Sequence, residues 1–374
     1  MINKKRLVLL TQNLIRINSE NPPGDERKIA GFVHGYLAKL GIKTRIVEFK
    51  KKRSNVLAYL KGRTGKTMLI TPHLDTVCAG KSWKHDPFGA EIIGDKIYGL
   101  GATDCKGNLA CAIEAINSLV EDGKTPEMDL IFAATADEEC GSGSGLIPLL
   151  NKKVINPDFA LVLDSDEFNI IITQKGLIHL RIKIEGKRSH GAYPWRGVNA
   201  IEAAVKIIND LLCQRPAYLK NKYLRPPTIN IGTIRGGDKV NVVADWCEFE
   251  LDFRFLPGMS ARSILTNLKK TVNKYTKNYK VEVNDTQDPY FIPEGHVFVA
   301  ALNRAMRRLG IKGKVKGSEE ATVITFFQHK GIPAVSAGFG SSGCAHTADE
   351  FARIPNLYKG ALALEDFLWK GLSF

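Results

Sequence analysis

The stretch TMLITPHLD, residues 67–75, decides the fold, because in it a short apolar run ends directly in a polar break. The same pattern occurs three more times, after the runs Ile97–Leu100, Leu130–Ala136 and Ala160–Leu163. Short apolar runs bounded by polar residues predict buried β-strands. We therefore expect the polar residues that follow these four runs to gather at one end of a sheet.

The polar residues after the four runs are carboxylates and imidazoles. They are His73 and Asp75, Asp104, Glu138 and Glu139, and Asp164, and a further imidazole, His346, follows the glycine-rich stretch at residues 338–343. Such side chains, gathered in one place, are ligands that a pair of zinc ions requires. The sequence therefore predicts a metal site, and with it an enzyme that hydrolyses amide bonds.

Each motif taken alone also has an ordinary structural explanation. Alternate residues of an extended segment point the same way, so Asp75 is expected to hold the His73 ring, either behind a metal or as a core pair. Asp104 precedes a predicted helix and could be only its N-cap, while Glu138 and Glu139 could lie in a solvated turn. We favour the metal site because independent accidents would have to fall at several successive strand ends.

The order of the predicted elements indicates two modules, one inserted in the other. Strands at residues 44–48, 55–60, 67–71 and 129–136 alternate with a helix near 106–121, which is typical of an α/β sheet. From Gly176 the order becomes βαββαβ, with elements near residues 177–184, 198–212, 228–234, 247–254, 261–275 and 280–283. We expect an α/β catalytic domain, with a mixed sheet flanked by helices, from residues 1–175 and 290–374. Residues 176–289 should form an inserted, ferredoxin-like α+β domain with a small antiparallel sheet and two helices.

The composition is that of an ordinary globular enzyme. Of the 374 residues, 44% are hydrophobic and 25% are charged. No apolar run approaches the ~20 residues that a membrane span requires, so we expect no membrane contact. The seven cysteines form no CxxC pair, and the apolar segment after Lys4-Lys5-Arg6 is too short for a secretory signal. We therefore expect reduced thiols and a cytoplasmic location.

The net charge of +14 does not by itself predict nucleic-acid binding. The densest basic run, Lys50-Lys51-Lys52-Arg53, has no interleaved aromatic residues that could stack on bases. We expect a solvated turn at this run and no nucleic-acid partner. A general positive field could still attract anionic substrates.

Six segments of the chain resemble one known family, in order and with similar spacing. They are Ser19-Glu-Asn-Pro-Pro-Gly24, Pro72-His-Leu-Asp-Thr-Val77, Gly99-x-Gly-Ala-x-Asp-x-Lys-Gly107, Asp137-Glu-Glu139, Gly197-Val-Asn-Ala-Ile201 and His346-Thr-x-x-Glu350. The family is the acetylornithine deacetylase/succinyl-diaminopimelate desuccinylase family, a branch of the zinc carboxypeptidase–aminoacylase superfamily. The resemblance implies a zinc-peptidase-like α/β domain with an inserted lid, and a homodimer formed through that lid.

The resemblance also implies which residues hold the metals. His73 and Asp164 would bind one zinc ion, Glu139 and His346 the other, and Asp104 would bridge both, with Co²⁺ able to replace Zn²⁺. Two Zn²⁺ bring four positive charges, which three carboxylates and a bridging hydroxide would balance. A cis peptide bond after Asp104 is implied as well.

One of these ligands departs from the pattern of the family. Asp164 stands where the family often has a glutamate, and it lies 12 residues before Gly176, as that glutamate lies before its lid glycine. Because side-chain direction alternates along an extended segment, Asp166 and Glu167 remain alternatives.

The same resemblance implies that Glu138, next to a ligand but pointing elsewhere, is the general base. It would take the proton of the attacking water and later give it to the leaving amine, while the zinc ions polarise the scissile carbonyl. We therefore expect hydrolysis of small N-acyl amino acids. A dipeptidase or carboxypeptidase and a succinyl-diaminopimelate desuccinylase remain alternatives. A non-catalytic scaffold is disfavoured, because no expected metal or base residue is missing.

Three residues of the inserted domain are candidates for substrate contacts, and two of them, His190 and Asn241, resemble residues of the family. His190 would reach the oxyanion in the neighbouring subunit, and Asn241 matches a lid asparagine, although the proline that accompanies it is absent here. Arg254 could bind a substrate carboxylate. A surface-turn histidine and a structural ion pair within the lid are the respective alternatives for His190 and Arg254.

The stretch Gly317-Ser-Glu-Glu-Ala-Thr322 bears on the substrate. It lacks the arginine of the desuccinylases and looks more like the acetylornithine deacetylases. Glu320 could therefore bind a distal substrate ammonium. Glu319 and Glu320 could equally face solvent, since glutamate is seldom buried without a partner.

Four cysteines lie close to the metal motifs. They are Cys78, Cys105, Cys140 and Cys344. Because oxygen and nitrogen ligands already suffice for two zinc ions, we expect these cysteines to be small apolar fillers.

Overall fold

The structure is a computed structural model that describes residues 1–372 of the chain. The helices of this part are α1 Lys4–Ile15, α2 Arg27–Lys39, α3 Lys106–Glu121, α4 Leu146–Asn151, α5 Ala200–Cys213, α6 Ala261–Val272, α7 Val297–Arg308, α8 Thr325–Gln328 and α9 Ile354–Lys370. Among these described helices, none is both long enough and apolar enough to cross a membrane.

The strands alternate with these helices along most of the chain. They are β1 Lys43–Glu48, β2 Ser54–Leu60, β3 Thr67–Thr71, β4 Ile92–Ile93, β5 Lys96–Tyr98, β6 Asp129–Ala134, β7 Phe159–Leu163, β8 Asn169–Gln174, β9 Gly176–Glu185, β10 Ser189–His190, β11 Thr228–Gly236, β12 Val242–Val243, β13 Trp246–Phe255, β14 Tyr279–Gln287, β15 Tyr290–Phe291, β16 Lys314–Ser318, β17 Ala334–Ala337 and β18 Phe351–Arg353.

The chain divides into two compact units. The first contains Met1–Ile172, Ile292–Lys316 and the residues from Phe326 onwards, and the second contains Thr173–Phe291 and Gly317–Thr325. The module predicted from the sequence covers residues 176–289 only, whereas the second unit of the structure also contains the stretch at 317–325. Hydrogen bonds explain why this stretch belongs to the second unit, because the Gln174 amide donates to the Thr322 carbonyl and accepts from the Thr322 backbone N–H.

The large sheet of the first unit explains how the candidate site is assembled. Its strand order is β1-β2-β6-β3-β7-β17-β8, and β6, β3, β7 and β17 run parallel to one another. The strands at both sides of this parallel group are antiparallel to it, so the sheet is mixed. Helices α1, α3 and α9 pack against one another, and α2 packs against β1 and β2. The predicted α/β class is therefore confirmed.

The run Ile97–Leu100 does not enter the large sheet, which corrects the prediction that it ends beside the other three runs. Only Lys96–Tyr98 is a strand, and it lies in a separate three-stranded sheet of order β18-β5-β4. Gly99 and Gly101, both with positive φ, end this strand early. Asp104 instead reaches the site because it directly precedes Cys105, the N-cap residue of α3.

The second unit has the predicted βαββαβ order. Its four strands form an antiparallel sheet of order β11-β13-β9-β14. Strand β13 alternates between buried and more exposed residues, as a sheet with one covered face requires. The buried residues Ala200, Ala204, Ile207 and Leu211 of α5 recur at helical spacing and belong to the same core as the buried residues of β9, β13 and α6.

Candidate metal centre and active site

Three parallel strands of the first unit deliver most of the candidate ligands. His73 follows β3, Glu138 and Glu139 form a single 3₁₀ turn after β6, and Asp164 directly follows β7. Since the carboxyl ends of parallel strands meet at one edge of a sheet, these side chains come together there. His346 lies in the loop that follows β17, whose pairing with β7 brings this loop to the same edge.

His73, Asp104 and Asp164 form the first group that could hold a metal ion. One ligand atom from each lies within 4.8 Å of the other two. His73 Nε2 lies 2.9 Å from Asp104 Oδ1 and 3.7 Å from Asp164 Oδ1. The His73 ring is buried, and its Nδ1 lies 2.8 Å from the backbone oxygen of Asp75. This contact fixes the ring so that Nε2 faces the two carboxylates.

Asp104, Glu139 and His346 form the second group, by the same distance criterion. His346 Nε2 lies 3.2 Å from both Asp104 Oδ2 and Glu139 Oε2. Asp104 therefore belongs to both groups, with one carboxylate oxygen facing each histidine. Imidazole nitrogens and carboxylate oxygens are ordinary donors for zinc-class ions, so the donor set fits two such ions that share a carboxylate. The peptide bond between Asp104 and Cys105 is cis, as the resemblance implies.

The electrostatics of the site indicate a surplus of negative charge. Burial raises the pKa of Glu138 well above its usual range, and the charge of Asp164 adds to the shift. Burial and the charge of Asp104 raise the pKa of Asp164 to about 7. Hydrogen bonds to Asp104 and Glu139 raise the pKa of His346 to about 11. The raised pKa values of the two carboxyl groups and of the imidazole all mean that the crowded carboxylates attract protons or other cations.

Asp75 does not hold the His73 ring with its carboxylate, which corrects the expectation from the sequence. Asp75 Oδ1 lies 3.8 Å from His73 Nδ1, too far for a hydrogen bond. The carboxylate instead accepts hydrogen bonds from the backbone N–H groups of Glu138, at 3.1 Å, and Glu139, at 3.2 Å. These two backbone N–H groups are partly buried and need an acceptor, which the Asp75 carboxylate provides.

Arg53 is the main residue that sequence reasoning missed. The run Lys50–Arg53 was expected to be a solvated turn, and its three lysines are exposed, but the Arg53 side chain is only 7% exposed. Its Nη2 lies 2.6 Å from Glu26 Oε1 and 2.9 Å from Asp137 Oδ1. Both contacts are ion pairs without hydrogen-bond geometry. Nothing in the local sequence distinguishes this arginine from the lysines, because its partners are distant along the chain.

The structure also separates the alternatives around Asp164. Asp164 faces His73, as described above, whereas Asp166 Oδ1 accepts a hydrogen bond from Asn169 Nδ2 at 2.9 Å. Glu167 is exposed. Neither Asp166 nor Glu167 belongs to a candidate metal group among the described residues.

His190 and Asn241 lie together in the second unit. Strand β10 pairs with β12, and the Gly191 N–H donates to the Asn241 carbonyl at 2.8 Å. His190 is exposed, and its Nδ1 accepts a hydrogen bond from the Ala192 N–H at 3.0 Å. The proton of the neutral ring therefore lies on Nε2, which remains a donor for another group.

The remaining substrate candidates also lie in the second unit. Arg254 forms an ion pair with Asp252, with Nε 2.8 Å from Oδ1, which is the structural alternative stated above. Glu319 is exposed, but its carboxylate lies 2.6 Å from Nζ of the buried Lys175 and so has a partner. Glu320 is exposed. A substrate contact of Arg254 or Glu320 stays a prediction.

The four cysteines near the metal motifs divide into two pairs. Cys105 and Cys344 are buried, in agreement with apolar fillers, but Cys78 and Cys140 are exposed, which corrects that expectation for them. Among the described residues, no cysteine belongs to a candidate metal group. All seven cysteines are free thiols.

Comparisons with known proteins identify the family of the chain. The family described as peptidase family M20/M25/M40 matches residues 69–370. An acetylornithine deacetylase from Proteus mirabilis is 30% identical over 360 residues, which cover 92% of this chain and 90% of that protein.

Two solved structures share the fold. The aminopeptidase PepT from Bacillus cereus has a TM-score of 0.83 at 24% identity and 99% coverage of both chains. A dinuclear metal-binding peptidase from Bacillus subtilis has a TM-score of 0.74 at 17% identity and 98% coverage of both. Because the family model matches most of the chain, the chain belongs to peptidase family M20/M25/M40 and is a zinc-dependent hydrolase.

Proposed function

We propose that this protein is a dizinc deacylase that hydrolyses the amide bond of small N-acyl amino acids, as acetylornithine deacetylases do. The observation that carries the proposal is the pair of candidate metal groups that share Asp104, with Glu138 beside them but in neither group. The likeness to proteins named acetylornithine deacetylase supports the acyl-amino-acid substrate class.

In this proposal the metals are held by five side chains. His73 and Asp164 would hold one zinc ion, Glu139 and His346 the other, and Asp104 both. When bound, the ions would polarise the scissile carbonyl and lower the pKa of the attacking water. Cobalt has similar ligand preferences and could substitute for zinc.

Glu138 would act as the general base. It takes the proton from the attacking water and then donates it to the nitrogen of the leaving amine. Its carboxylate belongs to neither candidate metal group and therefore remains available to accept a proton. Asp75 supports this role through the backbone, because it binds the N–H groups of Glu138 and Glu139.

The second unit would contribute the substrate contacts. We assign the oxyanion contact to His190, with Asn241 beside it, the substrate carboxylate to Arg254 and a distal ammonium to Glu320. We also propose a homodimer in which His190 serves the partner subunit. Within the described residues β11 pairs only with β13, so its other edge is open to a second chain. The free thiols fit a cytoplasmic location.

The proposal is tested with the purified protein supplied with Zn²⁺ or Co²⁺. Hydrolysis of N-acetylornithine, N-succinyl-diaminopimelate, several N-acetyl amino acids and a panel of dipeptides is measured by release of the free amine. We expect N-acetylornithine or a related N-acetyl amino acid to be cleaved best, and a chelator to abolish the activity. Preferred cleavage of dipeptides or of the succinyl substrate would replace the deacetylase by one of those activities.

The variant Glu138→Ala separates the base from the ligands. It should retain about two zinc ions per chain but lose most activity, on the order of a hundred-fold or more. His346→Ala is the matched comparison, since it should lose zinc as well as activity. Loss of zinc from Glu138→Ala would show that Glu138 is a ligand and not the base.

A further inference from the structure

The turn that carries Glu138 and Glu139 contacts a buried group of polar side chains, which we call the Arg53 cluster. It consists of Asn21, Glu26, Arg53, Asp75 and Asp137, and none of these is more than 9% exposed. In the proposed reaction the cluster holds no metal and contacts no substrate. Its members come from separate segments of the first unit, so its assembly is a product of the fold.

Arg53 contacts the other members of the cluster with both terminal nitrogens. Nη2 contacts Glu26 and Asp137, and Nη1 donates to Asn21 Oδ1 at 3.2 Å. Asn21 in turn donates from Nδ2 to Asp75 Oδ2 at 2.8 Å. Arg53 therefore reaches Asp137 directly and Asp75 through Asn21. Arg53 Nη2 also lies 3.9 Å from Asp75 Oδ2, so the ionic attraction acts on both aspartates.

The two aspartates hold the turn at two places. Asp75 accepts the backbone N–H groups of Glu138 and Glu139. Asp137 directly precedes these residues, has a φ of 66°, and its Oδ2 accepts the Ser144 N–H at 2.8 Å. The positions of the proposed base and of one proposed ligand thus depend on carboxylates that Arg53 and Asn21 hold.

The stretch Ser19–Gly24 provides the place for the guanidinium. Asn21 binds it, as described, and Gly24 leaves room for it, since a Cβ at Gly24 would lie 2.0 Å from Arg53 Nη1. In the sequence this stretch is part of the family resemblance, without a predicted role of its own. The structure accounts for an asparagine and a glycine at these two positions.

Charge makes the arginine necessary to this arrangement. Glu26, Asp75 and Asp137 are three buried carboxyl groups, and Arg53 is the only cation of the cluster as defined. Without it, Asp75 and Asp137 would be buried close together without a compensating charge, and a buried charge that loses its partner is costly. Movement of either aspartate would move the turn that it holds.

We propose that Arg53 is a positioning residue, which fixes Glu138 and Glu139 through Asp75, Asn21 and Asp137. This inference rests on the proposed function for the roles of the two glutamates. It assigns no chemistry to Arg53 itself. Its consequence is that loss of Arg53 affects the rate of catalysis and the affinity of one metal site more than it affects substrate binding.

The test compares Arg53→Gln and Arg53→Lys with Lys51→Gln. Lys51 lies two residues away, is exposed, and loses the same charge when it becomes glutamine. For each variant we would measure kcat and KM for N-acetylornithine, thermal unfolding, and zinc affinity by competition with a chelating dye. Kinetic constants are expressed per folded, zinc-loaded chain.

Arg53→Gln should lower kcat by about ten- to a hundred-fold and weaken one zinc site by a similar factor, as loss of an orienting residue does. KM should stay within about three-fold, because the cluster does not bind substrate. Arg53→Lys should recover part of both losses, and Lys51→Gln should match the wild type. If Arg53→Gln does not fold, Arg53→Lys and Asn21→Ala, which cuts the link to Asp75, serve for the same comparison.

The inference is overturned if the variants unfold at lower temperature but keep the kcat and the zinc affinity of Lys51→Gln, since that result describes a purely structural arginine. Failure of the proposed function looks different. In that case the wild type would bind zinc but cleave no substrate of the panel, and the zinc affinity of Arg53→Gln would still decide the role of Arg53.

Discussion

The Glu350 carboxylate accepts a hydrogen bond from the backbone N–H of Asp104, with 2.9 Å between Oε1 and the nitrogen. The same carboxylate accepts the N–H groups of Gly101 and Thr103, at 2.8 Å each. Glu350 lies four residues after His346, so it joins the segment of this histidine to the segment of Asp104, although Glu350 and Asp104 are 246 residues apart. The second candidate metal group therefore depends on one buried carboxylate that is not a ligand.

Glu350→Gln should weaken both the fold and the metal site. An amide has one accepting oxygen, so at least one of the three N–H groups loses its acceptor, which costs about 1–3 kcal/mol in a buried place. We expect a lower Tm and weaker binding of one zinc ion. Glu185→Gln, at an exposed position, is the control. Unchanged zinc affinity in Glu350→Gln would contradict the link between Glu350 and Asp104.

Asp164→Asn should weaken one metal site, whereas Asp166→Asn should not. Asp164 faces His73, while Asp166 binds the side chain of Asn169. Removing the charge of a ligand reduces the affinity for a divalent cation, because neutral amides are poorer ligands than carboxylates. A zinc titration of both variants checks this. If Asp166→Asn were the variant that loses affinity, Asp166 would be the ligand.

Glu320→Gln should raise the KM for N-acetylornithine about ten-fold, because a carboxylate that binds the distal ammonium would lose its charge. N-acetylmethionine, which has no ammonium, should be affected little. Glu319→Gln serves as the comparison. Glu319 forms an ion pair with the buried Lys175, and loss of this ion pair should lower the Tm. Equal KM changes for both substrates in Glu320→Gln would assign Glu320 no role in ammonium binding.

His190→Ala and Glu138→Ala should complement each other in a mixed dimer. If His190 serves the active site of its partner, a mixed dimer has one intact site and one that lacks both residues. Random re-pairing of equal amounts makes half of the dimers mixed, so about a quarter of wild-type activity should return. Subunit exchange is verified with differently tagged chains. Exchange without any recovered activity would show that His190 does not act across the dimer.

The stability contributed by Glu26 should depend on pH. Burial raises the pKa of Glu26 from 4.5 to about 7, and the charge of Asp75 adds to this shift while Arg53 opposes it. Because the folded-state pKa is the higher one, this contribution is full below about pH 4.5 and is lost as the pH rises through about 7. Glu26→Gln does not titrate, so the Tm of the metal-free variant should improve relative to wild type between pH 5 and pH 8. Parallel Tm curves would refute the shift.

Much of the fold followed from local patterns in the sequence. Helix α3 was predicted near residues 106–121 and occupies Lys106–Glu121, and the βαββαβ order of the second unit was also predicted. These patterns are local because the side-chain period of a helix or strand depends only on neighbouring residues. The helix α9, Ile354–Lys370, was not among the predicted elements.

The sequence also indicated which side chains would gather at the candidate metal site, since strand ends precede three of them. His73, Glu139 and Asp164 follow β3, β6 and β7, and parallel pairing brings the ends of these strands to one edge. Asp104 reaches the site for another reason, because the run before it ends early at two glycines. The sequence therefore indicates which residues form the site, but not which structural element positions each of them.

Only the tertiary structure decided how the polar partners are distributed. Arg53 is buried against Glu26 and Asp137. Asp75 accepts a backbone hydrogen bond from Glu138 instead of binding the His73 ring. Lys175 forms an ion pair with Glu319. The partners in these contacts lie tens of residues apart or more, and charged groups in water have no preference that depends on sequence spacing. Burial removes the water, and each charged group must then bind whichever partner the packing of distant segments brings within reach.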